Sequence, residues 1–258
     1  MPLEEIINRQ GIIISAPASG AGKTTVTLGL INAFARKGSV QPFKSGPDYI
    51  DSKFQSVAAD RPSYNLDTWA MSSSDILNMI GMVGPSDICI AEGSMGLFDG
   101  VISKGAGGNG STADLASITN WPVILVVDCA KQAQSVAALI AGFNSFRHDI
   151  TIGGIILNNI SSKRHEALVV SEVSKTKVPI LGVIPRSNEL TIPERHLGLV
   201  QAEDLSDLEQ LIFKLGTLIE ENCDLEAIAC TARNSSTPIS TLQKITPPAQ
   251  RIAIARDN

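Results

Sequence analysis

The 258-residue chain has little concentrated positive charge. Its 21 Lys and Arg are outnumbered by 26 Asp and Glu, the net charge is −5, and no Lys/Arg cluster occurs. Proteins that bind nucleic acid neutralise phosphates with clustered cations, so nucleic acid is not the expected partner. Cysteine is scarce too: Cys89, Cys129, Cys223 and Cys230 form no Cys-x-x-Cys pair. Two of them sit in or beside apolar runs, which reads as reduced thiols in a cytosolic protein and makes structural zinc unexpected. No apolar stretch approaches the roughly 18 residues of a spanning helix. Residues 1–10 carry Glu4 and Glu5 where a signal peptide would be basic. A soluble, cytoplasmic chain with no membrane partner is expected. Hydrophobic content of 43% and charged content of 18% are globular values, and the length allows a substantial core.

What is present begins with Ser15-Ala-Pro-Ala-Ser-Gly-Ala-Gly-Lys-Thr-Thr25. An apolar run, Gly11 to Ile14, enters it and a helical pattern, Val26 to Arg36, leaves it. Strand, glycine-containing loop, Lys-Thr and helix form the layout of a phosphate-binding P-loop. Ser19 opens the turn, and the N–H groups of Gly20, Ala21 and Gly22 can share one concavity because glycine tolerates the dihedrals of such a nest. The start of the next helix, with Thr25, adds unpaired N–H groups and the positive end of its dipole. Lys23 supplies a mobile charge for the β- and γ-phosphates, and Thr24 a hydroxyl for Mg²⁺. The first glycine of G-x-x-x-x-G-K-[ST] is replaced by Pro17. The expected ligand is a nucleotide triphosphate, ATP with Mg²⁺.

Short apolar runs alternate with helical patterns. Strands are expected over 12–15, 40–43, 88–91, 123–127, 152–157 and 180–184, and helices over 24–37, 73–83, 112–120, 132–146, 162–176 and 202–223. The strand candidates are continuous Val/Ile/Leu stretches, the mark of strands covered on both faces. The pattern predicts an α/β fold: a doubly wound, mostly parallel sheet of the P-loop NTPase kind, with ligands at the carboxyl ends of the strands. We read residues 1–222 as this domain. Residues 223–250, rich in Ser, Thr and Pro beyond Thr231, read as a linker, and 251–258 as the opening strand of a further domain.

The candidate site residues fall at the strand ends. After the second strand, Lys44-Ser-Gly-Pro-Asp-Tyr-Ile-Asp51 brings Asp48 and Asp51 into a loop near the phosphates, a composition suited to Mg²⁺ coordination or substrate orientation and equally to a solvated turn with a helix cap. Glu92, at the tip of the third long strand, is placed as a Walker-B-type carboxylate, because burial there is costly unless a cation balances it. Asp99 lies further along a loop from Gly93 to Gly110 that has seven glycines in eighteen residues, long enough to fold over a large substrate. Asn158 or Asn159 faces the nucleotide base or caps the next helix. Arg186 and Arg195 are candidate anion contacts. His196 is read as a packed or capping residue.

Taken together, these segments resemble the synthetase portion of the cobyrinic acid a,c-diamide synthase family, including its hydrogenobyrinic-acid form. The stretches that carry the resemblance are Ala16 to Leu30, Gln41-Pro-Phe-Lys-Ser-Gly-Pro-Asp-Tyr-Ile-Asp51, Glu92-Gly-Ser-Met-Gly-Leu-Phe-Asp-Gly100 and Pro193-Glu-Arg-His-Leu-Gly-Leu199. It runs from about Gly11 to Val200, within the dethiobiotin-synthetase-like branch of P-loop proteins. It implies an ATP-dependent ligase that activates two carboxylates of a corrinoid as acyl phosphates and amidates them with ammonia, in cobalamin biosynthesis. It further implies that Thr24, Glu92 and Asp48 hold Mg²⁺, and that Lys23 neutralises phosphate charge. Asp48, Tyr49, Ile50, Asp51 and Asp99 would place the substrate and order the two amidations. Lys44 is our own addition as a partner for anionic oxygens. In the family, ammonia comes from glutamine through a C-terminal amidotransferase domain; no cysteine here lies in a matching motif, so the expected nitrogen donor is ammonia or glutamine. A shortened chain, an eroded gene product and half of a split enzyme served by a separate glutaminase all stay open. Relatives of this fold commonly form homodimers. Alternatives are a,c-diamidation of nickel-sirohydrochlorin, cobyric acid or dethiobiotin synthesis, a partition-type ATPase and an inactive remnant. The partition type usually has a further lysine early in the P-loop, where this chain has Pro17-Ala18-Ser19.

Overall fold

The computed structural model describes residues 6–187, 194–195, 198–199, 207–238, 251 and 253. Strand β1 (Ile6–Ser15) leads through the P-loop into α1 (Lys23–Ala35), and β2 (Val40–Ser45) into α2 (Tyr49–Ala59). Then come β3 (Tyr64–Leu66), α3 (Ser73–Met82), β4 (Ile88–Glu92), α4 (Thr112–Thr119) and β5 (Val123–Asp128). The chain continues through α5 (Val136–Phe146), β6 (Ile152–Ile160), α6 (Lys163–Val173) and β7 (Ile180–Pro185). A short ribbon, β8 (Glu194–Arg195) and β9 (Gly198–Leu199), precedes α7 (Leu208–Asn222), α8 (Leu225–Thr231) and β10 (Arg233–Pro238).

Seven strands lie parallel in the order β3-β2-β4-β1-β5-β6-β7, the doubly wound α/β sheet expected. Each of the six expected strands is found, extended by one to six residues. They lack in–out alternation because both faces are covered. Ile13, Phe43, Ala91 and Leu125 pack on one side, and Ile12, Ile14, Ile90 and Ile124 on the other. The second side is roofed by α1, α2 and α7, where Leu208, Ile212, Leu215 and Ile219 recur at helical spacing against the sheet. No helix among the described residues is long and apolar enough to cross a membrane.

Three expectations change. The stretch after Pro47 is not a loop throughout but begins α2, because Asp48 caps it: its carboxylate accepts from the N–H groups of Ile50 and Asp51 at 3.0 and 3.2 Å. The stretch from 223, read as a linker, is structured as far as 238. Asp224 caps α8, and β10 pairs antiparallel with the first half of β1, from Ile6↔Pro238 to Gly11↔Arg233. Edge pairing of backbone groups needs no large apolar side chains, so Ser/Thr-rich composition concealed this strand. The rest of that segment, and the opening strand expected within 251–258, fall outside the described residues apart from Arg251 and Ala253.

The glycine-rich loop also differs from an open flap. Leu97 is fully buried, and the N–H groups of Ala106 and Gly107 donate to the carbonyls of Trp69 and Thr68 at 2.8 and 3.0 Å. Gly105 sits so close to this segment that a Cβ would lie 1.9 Å from the Trp69 carbonyl oxygen. Its glycines permit close backbone contact between two loops.

Candidate functional site

Parallel register sets the site. Lys44 of β2 pairs with Glu92 of β4, and Glu92 with Ile14 of β1, so the three strands end side by side below the P-loop. Strand periodicity places Glu92 on the same face as Ile88 and Ile90, under α1 and α2. A cavity of about 460 Å³ opens there.

The P-loop forms one wall. Gly20 and Gly22 have φ of +78° and +86°, a left-handed conformation that glycine adopts without penalty. At Gly22 there is also no room, because a Cβ would fall 2.2 Å from Asn158 Nδ2. That amide donates to the Ala21 carbonyl at 3.0 Å and fastens the end of β6 to the loop. Ser19, Gly20, Gly22, Thr24 and Thr25 line the cavity, whereas Ala21 is buried and contributes through its backbone. Lys23 reaches across and donates to the Met95 carbonyl at 2.7 Å, which presents its ammonium to the cavity. Burial pulls the Lys23 ammonium below the ordinary lysine range, with Glu92 acting against that.

Opposite lies a buried polar cluster. The Thr24 hydroxyl donates to Glu92 Oε1 at 2.7 Å, and the Lys44 ammonium stands 3.1 Å from the same oxygen. Lys44 also forms a close ion pair with Asp51. Burial lowers the Lys44 pKa, but Glu92 and Asp51 outweigh it and hold the group above the ordinary lysine range. Asp51 is pushed up to about 6, first by burial and then by Glu92, with Lys44 opposing. Glu92 Oε2 accepts from the Gln55 amide at 2.8 Å. Glu92 is fully buried, so every contact it makes is shielded from water.

Of the expected site residues, Lys23, Lys44, Asp48, Asp51, Glu92 and Asn158 therefore converge on one cavity. Others do not. Tyr49, 68% exposed, lies on a neighbouring groove with Lys53 and Val57, and Ile50 packs against the core below α1. Asp99 does not line the cavity; it accepts from the Gly96 N–H at 2.9 Å and shapes the loop that carries Met95. Ser162 caps α6, so neither asparagine has that task; Asn159 lines the cavity as well and donates to Asp128 at 2.8 Å. Arg186 lines a different cavity, beside Glu221 and Asp224. The Arg195 side chain and His196 lie outside what the structure describes.

Gln55 and the Met95 carbonyl are the site groups the sequence reading missed. The signal for Gln55 was its spacing: four residues after Asp51, it shares that residue's face once Asp48 is recognised as a helix cap. A carbonyl contact has no signal in side-chain identity.

The donor set suits a hard cation. The cavity offers the Thr24 hydroxyl and the carboxylates of Glu92, Asp51 and Asp48, all oxygen ligands, as Mg²⁺ prefers. Among the described residues no group of three or more His, Cys, Asp or Glu converges as a metal cage. That fits an ion held by one or two protein groups and by nucleotide oxygens. Cys89, Cys129 and Cys223 are poor nucleophiles: burial pushes Cys89 up to about 11 and Cys129 and Cys223 up to about 12.

Comparison with known proteins gives the family. The family described as "CobQ/CobB/MinD/ParA nucleotide binding domain" matches residues 12–200. A hydrogenobyrinate a,c-diamide synthase of Rhodobacter capsulatus is 45% identical over 249 residues, covering 96% of this chain and 57% of the relative. One of Brucella anthropi is 44% identical over 254 residues, with the same coverage. Among solved structures, a ParA family ATPase from Chlorobium tepidum is similar at a TM-score of 0.48 and 11% identity, over 83% of this chain and 91% of that one. The chain thus spans little more than half the length of the curated relatives it matches.

Proposed function

We infer the activity from one premise: this chain belongs to the CobQ/CobB/MinD/ParA nucleotide binding domain family. We propose that it is the synthetase unit that amidates the a- and c-carboxylates of hydrogenobyrinate, or of cobalt-containing cobyrinate, using ATP. Relatives at 44–45% identity that carry the name hydrogenobyrinate a,c-diamide synthase support this reading. The observation that carries it is the Thr24–Glu92 contact of 2.7 Å in a cavity shared with Lys23. That combination suits phosphoryl transfer, not simple nucleotide storage.

A carboxylate is a poor electrophile. Its oxygen attacks the γ-phosphorus of ATP, the bond to the bridging oxygen breaks, and ADP leaves an acyl phosphate behind. Ammonia then attacks the acyl carbon, phosphate departs with the C–O bond electrons, and the nitrogen loses a proton to give the amide. Positioning and charge neutralisation carry both steps. Lys23 offsets charge on the transferring phosphoryl group, and Lys44 lies where it can meet anionic oxygens. Thr24 and Glu92 would hold Mg²⁺, with Asp48 beside them, and the ion would supply neutralising charge at the phosphates. Asp48 and Asp51 orient the substrate carboxylates. Asp99 contributes by shaping the 93–100 loop, and Asn158 by fastening the end of β6 to the P-loop. Ammonia is supplied by glutamine hydrolysis in a glutaminase unit, and free ammonia replaces it in vitro.

The test is ADP release from Mg·ATP and ammonium chloride, with and without hydrogenobyrinate, followed by mass spectrometry of the corrinoid. One or two carboxyl-to-amide conversions coupled to ADP release are expected. ATP turnover that leaves the corrinoid unchanged would overturn the assignment.

A further inference from the structure

Gln55 is uncharged and fully buried, and it is absent from every motif that identified the site. It stands between Glu92 and Ser63. Its Nε2 donates to Glu92 Oε2 at 2.8 Å, and its Oε1 accepts from the Ser63 hydroxyl at 2.8 Å. The chemistry fixes the amide orientation: turned over, it would set an oxygen against a buried carboxylate and leave the hydroxyl facing an N–H₂ group. The two oxygens of Glu92 are thereby divided. Oε2 is held by a neutral donor, while Oε1 faces Thr24 at 2.7 Å and Lys44 at 3.1 Å.

We propose that Gln55 is a positioning residue for the Mg²⁺ site, holding the Glu92 carboxylate so that Oε1 stays beside the Thr24 hydroxyl. This rests on the reading above that Thr24 and Glu92 bind the ion. Without Gln55, Oε2 is a buried acceptor with no donor, and the nearest compensation is rotation of the carboxylate toward the Lys44 ammonium. That rotation brings Oε2 to the ammonium that Oε1 already meets at 3.1 Å, and it turns Oε1 away from the Thr24 hydroxyl. Outer-shell partners of this kind typically contribute about 10- to 100-fold to metal affinity. The Ser63 hydroxyl, one contact further out, sets the amide plane and has the smaller effect.

The test is calorimetric titration of a non-hydrolysable ATP analogue, in EDTA and across a Mg²⁺ series, for the unmodified chain, Gln55→Leu and Ser63→Ala. Leucine keeps most of the volume and removes both polar contacts. Gln55→Leu is expected to raise the half-saturating Mg²⁺ concentration about tenfold or more, leaving nucleotide affinity in EDTA within about twofold. Ser63→Ala, a milder change that keeps the fold if Gln55→Leu does not, shifts it in the same direction by less. An unmoved Mg²⁺ dependence in a folded variant overturns the proposal, and so does an equal loss in EDTA. If the unmodified chain binds the analogue equally with and without Mg²⁺, the metal reading itself fails.

Discussion

The Thr24 hydroxyl donates to Glu92 Oε1 across 2.7 Å, joining the first turn of α1 to the tip of β4. A buried carboxylate with this partner is a ready half-site for a divalent ion. Glu92→Gln keeps the shape and removes the charge. Half-saturation by Mg²⁺ should rise about tenfold or more, in a titration of ADP release against Mg²⁺. An unchanged titration would move the metal ligand elsewhere.

Lys23 separates chemistry from folding. Its ammonium is desolvated and, among the described residues, makes one hydrogen bond, to the Met95 carbonyl, so its removal costs the fold little. Lys23→Ala is expected to abolish ATP-dependent amidation while the unfolding midpoint stays within a few degrees. Normal turnover by that variant would remove the P-loop from the mechanism.

Asp51 gives a pH signature. Burial and then Glu92 raise its pKa from 3.8 to about 6, so the folded state holds its proton more tightly than the unfolded chain. Its contribution is therefore complete below about pH 4 and declines as pH rises to about 6. Measured against Asp51→Asn, the relative stability of the unmodified chain should fall by about 1–3 kcal/mol between pH 4 and pH 7. Denaturant unfolding of both proteins at the two pH values measures it. A constant difference would mean that Lys44 and Asp51 stay ionised as a pair throughout.

The sheet was legible because two buried faces require continuous Val/Ile/Leu runs, as at Ile12–Ile14 and Val123–Val127, which no exposed segment reproduces. The P-loop, Glu92 and Lys44 were legible because strand ends collect function in this architecture. Helix α2 was hidden by Gly46-Pro47, which marks a turn, while the cap that restarts the chain is a carboxylate equally suited to metal binding. Tyr49 and Ile50 stand off the phosphate cavity for the same reason: once the segment is helical, one turns to the surface and the other to the core. Strand β10 was hidden because Arg233 to Pro238 pair through the backbone and offer no apolar signal.

Asp48 holds two positions at once, and a pair of substitutions can tell them apart. Its Oδ1 accepts from the Ile50 and Asp51 N–H groups at 3.0 and 3.2 Å, and its side chain borders the cavity. Asparagine caps a helix about as well as aspartate, whereas alanine does not. Asp48→Asn thus removes charge alone, and Asp48→Ala removes charge and cap. Asp48→Ala should be less stable than Asp48→Asn by about 1 kcal/mol in denaturant unfolding. Both should slow amidation, or shift the monoamide-to-diamide ratio, to a similar degree by mass spectrometry of the corrinoid. If Asp48→Asn gives an unaltered product profile and only Asp48→Ala is impaired, the residue serves α2 and the substrate is oriented by Asp51 alone.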